Sequence, residues 1–88
     1  MTRDAIRAHR HSIRHREEIL ASKSCGCFYC CETFPSSQIA EWTDEWEGVG
    51  QTAVCPRCGI DSVIGSESGY PVTREFLKEM HDHWFRAA

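Results

Sequence analysis

No stretch of this chain stays apolar for anything near the roughly 20 residues that a membrane-spanning helix needs. Its first residues, MTRDAIRAHRHSIRHREE, lack the apolar segment at the centre of a secretory signal. Both absences point to a cytoplasmic, reducing location. Proline is scarce, at three residues, and neither proline nor glycine occurs between positions 3 and 22. Nothing there interrupts a helix. Catalytic signatures are missing as well: there is no Ser–His–acid pattern, no phosphate-cradling P-loop and no Gly-rich dinucleotide fingerprint. The expectation is a protein that is not an enzyme.

What is present fits one small domain. With 88 residues the chain buries a limited core and needs a staple such as a metal or disulfides. Hydrophobic residues make up 41% and charged residues 26%, enough of the former for the chain to fold. The net charge of −3 is unevenly spread: residues 1–16 carry +4 and the remainder −7. The basic arm therefore meets an external anion or folds back on its own acidic domain.

The pattern predicts a helix over 3–22, with Thr2 as its cap, and a domain division into an Arg-rich N-terminal helix (1–24) and a zinc-binding domain (25–88). On that helix Ile6, Ile13 and Leu20 form a narrow apolar stripe. Arg3, Arg7, Arg10 and Arg14 run beside it for about 16 Å. So narrow a stripe reads as a helix resting on a partner or on the domain edge. Pro35-Ser36-Ser37 opens a short middle helix with Ile39, Trp42 and Trp46 on one face. Residues 47–51 are a turn, and Thr52-Ala53-Val54 and Ser62-Val63-Ile64 form a short β-hairpin around the second cysteine pair. A C-terminal helix spans 73–86, capped by Thr73, with Phe76, Leu77, Met80 and Trp84 facing the core. The fold class is α+β.

Six cysteines are many for this length. Four form the pairs Cys27-x-x-Cys30 and Cys55-x-x-Cys58. A two-residue gap lets both sulfurs of a tight turn point to one ion, and two such turns close a tetrahedral site. In the second pair Pro56 stiffens the turn and Gly59 supplies positive φ on leaving it. The expectation is one Zn2+ per chain, although four thiolates also suit iron. A redox pair would need a βαβ setting that this pattern lacks, and a disulfide framework would need an exported protein. With four thiolates no coordination position remains for water, so such a metal is structural.

Cys25 and Cys31 remain, as bystanders or, for Cys25 through its alternative pairing with Cys27, as a thiol sensor. His11 and His15 have the i, i+4 spacing of a chelate, but flanking arginines repel a cation and favour a solvated helix face. His81 and His83 diverge on their helix. Three tryptophans read as core.

The two knuckles resemble those of zinc-ribbon and treble-clef zinc-binding modules over residues 25–66. CPRCG followed by Ile60-Asp61-Ser62-Val63-Ile64 is also similar to a degenerate HNH motif, in which a histidine general base stands where this chain has Ser62. That resemblance implies a copy without its base, because a serine hydroxyl does not accept protons usefully near neutral pH. The run CGCFYC…QTAVCPRCGIDSVIG…YPVTREFLKEMHDHWF resembles small uncharacterised bacterial cytoplasmic proteins, which implies a fold and a location but no activity. The expected function is a structural-zinc module for protein interaction or regulation, with an unknown protein partner. The alternative is a nucleic-acid-binding zinc ribbon using Arg3, Arg7, Arg10 and Arg14, and a thiol sensor stands third.

Overall fold

A computed structural model describes residues 3–85. Thr2 as a cap and the end of the last helix at residue 86 lie outside that range. In chain order the elements are helix α1 (Arg3–Arg7), a 3-10 turn (Ala8–Ser12), helix α2 (Arg16–Ala21), strands β1 (Ser24–Cys27) and β2 (Thr33–Pro35), a 3-10 turn (Ser36–Gln38), strands β3 (Trp42–Trp46), β4 (Val49–Ala53) and β5 (Val63–Gly65), a third 3-10 turn (Ser66–Ser68), and helix α3 (Arg74–Trp84). The α+β class is as expected. Two antiparallel sheets carry it: β2-β1-β5 and the hairpin β3-β4.

The N-terminal segment is not one helix. Within it the Ser12 hydroxyl donates to the His9 carbonyl (2.6 Å), a local bond that competes with helical pairing. Ile13 is extended, at φ −133°, and Arg14 is left-handed, at φ 48°. No glycine or proline forces this break. It comes instead from β4, far along the chain, whose outer edge takes its partners from the turn. The His15 N–H donates to the Gln51 carbonyl (2.9 Å), and the Arg16 guanidinium donates to the Gly50 carbonyl (2.8 Å) while lying over the Trp42 ring. The Arg14 N–H donates to Thr52 Oγ1, which in turn donates to Asp44 (2.6 Å).

The observed burial is also the reverse of that expected. Ile6, Ile13 and Leu20 are exposed, and the face turned inward is Ala5, Ala8, Ser12, His15 and Ile19. Small side chains at 5 and 8 let the N-terminal segment lie close against α3, where both alanines join Phe28, Ile64, Phe76, Leu77 and Met80 in one core cluster. Ile19 belongs to a second cluster with Cys25, Cys27, Phe34, Ala53, Cys55 and Val63.

The expected middle helix is a 3-10 turn followed by a β-hairpin. Its two-residue turn, Glu47-Gly48, has φ of 51° and 81°, the primed geometry that matches strand twist. The hairpin pairing expected between 52–54 and 62–64 is also replaced. β4 pairs with β3, whereas β5 pairs with β1 in the register Cys25↔Gly65, Gly26↔Ile64, Cys27↔Val63. The last helix forms as expected: Thr73 Oγ1 accepts from the Phe76 N–H (3.2 Å), and Phe76, Leu77 and Met80 are buried. The tryptophans rim the domain instead of filling it. Trp42 is half-buried, and Trp46 and Trp84 are exposed.

Candidate metal centre

The two expected cysteine pairs come together at the ends of different strands. Cys27 closes β1, and Cys55 follows two residues after β4. The four Sγ atoms lie within 4.8 Å of one another. Cys27 Sγ is 3.6 Å from Cys58 Sγ, and Cys30 Sγ is 3.8 Å from Cys55 Sγ. A tetrahedral zinc with Zn–S bonds near 2.3 Å requires S···S separations of about 3.8 Å. Disulfides require about 2.05 Å, and all six cysteines are free thiols. The donor set therefore fits a divalent, thiolate-loving ion. Cys27, Cys30, Cys55 and Cys58 would hold it, and its contribution would be to lock two strand ends together.

Each knuckle repeats the other, bond for bond. The Tyr29 and Arg57 N–H groups donate to the first sulfur of their pairs, Cys27 (3.3 Å) and Cys55 (3.4 Å). The Cys31 and Gly59 N–H groups donate to the carbonyls of Cys27 (2.8 Å) and Cys55 (3.0 Å). The Cys27 and Cys55 N–H groups donate to the carbonyls five residues on, Glu32 (3.1 Å) and Ile60 (2.9 Å). Both turns leave through a left-handed residue: Gly59 at φ 79° and, in the matching place, Cys31 at φ 61°.

The thiols do not share one electrostatic environment. Burial pushes Cys58 and Cys30 up, and hydrogen bonding and charge from neighbouring cysteines push the same way. Burial also raises Cys55, but the Arg57 and Cys58 N–H groups and the neighbouring thiols outweigh it and bring that thiol down. A divalent cation overrides such differences, since coordination deprotonates a thiol outright.

One supporting residue was not expected. Ser62, in the position where the HNH resemblance places a base, is buried with its Oγ 3.2 Å from Cys27 Sγ. Against a thiolate the hydroxyl is the donor, which fixes the sulfur's orientation. Only a serine shortly after CPxCG hinted at this in the sequence.

The leftover cysteines stand apart from the four-sulfur group. Cys25 is fully buried in the core, and burial pushes its thiol up to about 11. Sensor thiols are exposed and acidic; Cys25 is neither. Cys31 is half-buried against the α3 cluster, and burial raises it too.

His11 and His15 do not form a chelate. His11 Nδ1 lies 3.0 Å from Glu18. His15 is buried, with Nδ1 donating to the His11 carbonyl and Nε2 accepting from the Ala53 N–H (3.0 Å). Those partners require the neutral ring, and burial, the largest influence, lowers its pKa. The expected solvated face is thus a core brace at residue 15. Arg3, Arg7, Arg10 and Arg14 are all exposed, and none joins an ion pair among the described residues. Arg14 has left the helix that carries Arg3 and Arg7, so the continuous row is not formed.

Among the described residues no helix is long and apolar enough to cross a membrane. No family model, curated protein or solved structure matches this chain. The site is therefore read from its own chemistry.

Proposed function

We propose that this chain is a non-catalytic zinc module of the zinc-ribbon kind, cytoplasmic, that works by presenting its surface to a protein partner. The observation carrying the reading is the closed group of four cysteine sulfurs. Four thiolates complete a tetrahedral shell, so the metal binds no water to activate and contributes folding free energy instead. Both ligand pairs come from knuckles at strand ends and none from the start of a helix, which favours the ribbon over the treble clef. The large exposed side chains Ile6, Ile13, Leu20, Tyr29 and Trp46 give such a module contact surface.

Native mass spectrometry with metal analysis on the same sample tests the foundation. One zinc per chain, with six reduced cysteines after unfolding, is expected. One iron instead would keep the closed site and change its metal. No metal, together with a mass two hydrogens lower for each cysteine pair, would mean a disulfide protein and end the proposal.

A second reading draws on four exposed arginines that join no ion pair among the described residues: Arg3, Arg7, Arg10 and Arg14 would track nucleic-acid phosphates without reading sequence. Heparin retention separates the two. Retention that weakens steeply with salt and is lost in Arg7→Ala/Arg10→Ala selects nucleic acid, whereas passage through the column at moderate salt leaves the protein partner.

A further inference from the structure

Two grooves meet beside the break in the N-terminal segment, sharing Arg14 and Gln51. The first, of about 360 Å3, is lined by Arg10, Ile13, Arg14 and Arg16, and by Glu17 and the His11–Glu18 pair. With three arginines against two glutamates it is net positive. The second, of about 270 Å3, is lined by Asp44, Glu45 and Trp46 and is net negative despite Arg14. Apolar side chains project from both halves: Ile13 is 52% exposed, Trp46 67% and Val49, its cross-strand neighbour, 43%. Arg10, Arg14, Asp44 and Glu45 form no ion pair among the described residues, although Arg14 and both acids line one groove.

A patch with a basic half, an acidic half and apolar side chains on each is complementary to itself under a two-fold rotation. In such an isologous contact, residue i of one copy meets j of the other and j meets i. A basic partner would satisfy Asp44 and Glu45 and strand the arginines. An acidic partner would do the reverse, and a phosphate backbone following Arg10 and Arg14 would run into Asp44 and Glu45. A second copy satisfies both halves at once. We propose that this face is the interface of a two-fold symmetric homodimer, with Arg10 and Arg14 of each protomer set against Asp44 and Glu45 of its partner and the Ile13 and Trp46 side chains packed between them. The inference rests on the interaction-module reading and names its partner.

The test is sedimentation equilibrium of the full chain from micromolar to millimolar concentration, at low and high salt, with Arg10→Glu and Glu45→Arg variants. The wild type is expected to dimerise and to weaken with salt. Each variant alone places like charges opposite one another twice and should dissociate at least ten-fold more readily. An equimolar mixture of the two restores opposite charges at both contacts and should re-form a mixed dimer. Trp46→Ala should weaken association at every salt concentration, and its side chain is exposed enough for the fold to survive; circular dichroism checks this for all three variants. A wild type that stays monomeric at low salt overturns the dimer. So does a dimer indifferent to both charge reversals, or a folded mixture that fails to associate. None of these results touches the metal and heparin measurements, so the dimer can fall while the module reading stands.

Discussion

The two knuckles share a backbone and differ in what supports them. Each makes the same N–H to sulfur bond, the same turn-closing bond and the same left-handed exit. Ser62 braces the first knuckle with a hydroxyl set directly on the Cys27 sulfur. The second is braced one step back: His15 grips the Ala53 N–H on the strand that delivers Cys55. At the exits, Gly59 meets the left-handed backbone without strain, whereas Cys31 is strained there and packs its half-buried side chain against the core. The metal-facing geometry is thus reached twice by different means, one indifferent to protons near neutrality and one not.

Removing the first brace should have the largest effect. In Ser62→Ala the Cys27 thiolate loses its hydroxyl donor, and loss of such an outer partner weakens metal binding about 10–100-fold. Competition with a chromogenic chelator reads this directly. Unchanged affinity would mean that the serine only fills space, and the contrast between the knuckles would shrink to their exits.

Swapping the exit residues should have an intermediate effect. Gly59→Cys places a side chain on a φ of 79° where a Cβ would find nothing within 4 Å. It should cost about 1–2 kcal/mol in denaturant unfolding of the metal-loaded protein. In Cys31→Gly the relief of strain and the loss of packing oppose each other, so stability should move by about 0.5 kcal/mol or less. Equal costs for the two changes would remove the proposed difference between the exits.

The smallest effect belongs to the second brace and depends on pH. His15 has a folded pKa below its ordinary value of 6.5 because it is buried. The unfolded chain therefore takes up the proton first. The stability owed to neutral His15 is complete above pH 6.5 and is lost as pH falls from there through the folded value. One such site contributes at most about 1.4 kcal/mol per pH unit. His9 is lowered as well, chiefly by burial, and thiolate ligands are acid-sensitive in any case, so the measurement is a difference. His15→Gln should be less stable than the wild type at neutral pH, with a gap that narrows as pH drops below 6.5. A constant gap would mean that the imidazole's protonation state is not what holds Ala53.

Much of the metal site was legible because its signal is local. Cys-x-x-Cys spacing and Pro56 before Cys58 fix a turn whatever surrounds it, and Thr73 before an amphipathic run fixes the start of α3. The middle of the chain misled for a definite reason. Trp42 and Trp46 are four apart, a spacing that shares a face in a helix and equally in a strand, so periodicity alone could not separate them. Thr43 and two tryptophans favoured the strand, but Glu47-Gly48 is a weaker hairpin marker than Asn-Gly or Asp-Gly. The break at Ile13–His15 left Ser12 as its one local trace, since its other partners lie on the edge of β4 some 38 residues away. The greater hydrophobicity of Ile6, Ile13 and Leu20 hid a second stripe of helical spacing, Ala5, Ala8, Ser12, His15 and Ile19, which is the buried one. Small residues were what a tight approach to α3 demanded.

The order of the elements along the chain has a consequence for synthesis. All four metal-facing cysteines precede β5 and α3, so a ribosome delivers the complete ligand set before the strand that pairs with β1 and the helix that covers the N-terminal segment have been made. Ala5 and Ala8 are made well before Phe76, Leu77 and Met80 and must wait for them before their own side of the core can close. An ion caught by the nascent chain would gather the two knuckles first, leaving α1 and α3 to meet across a centre already tied.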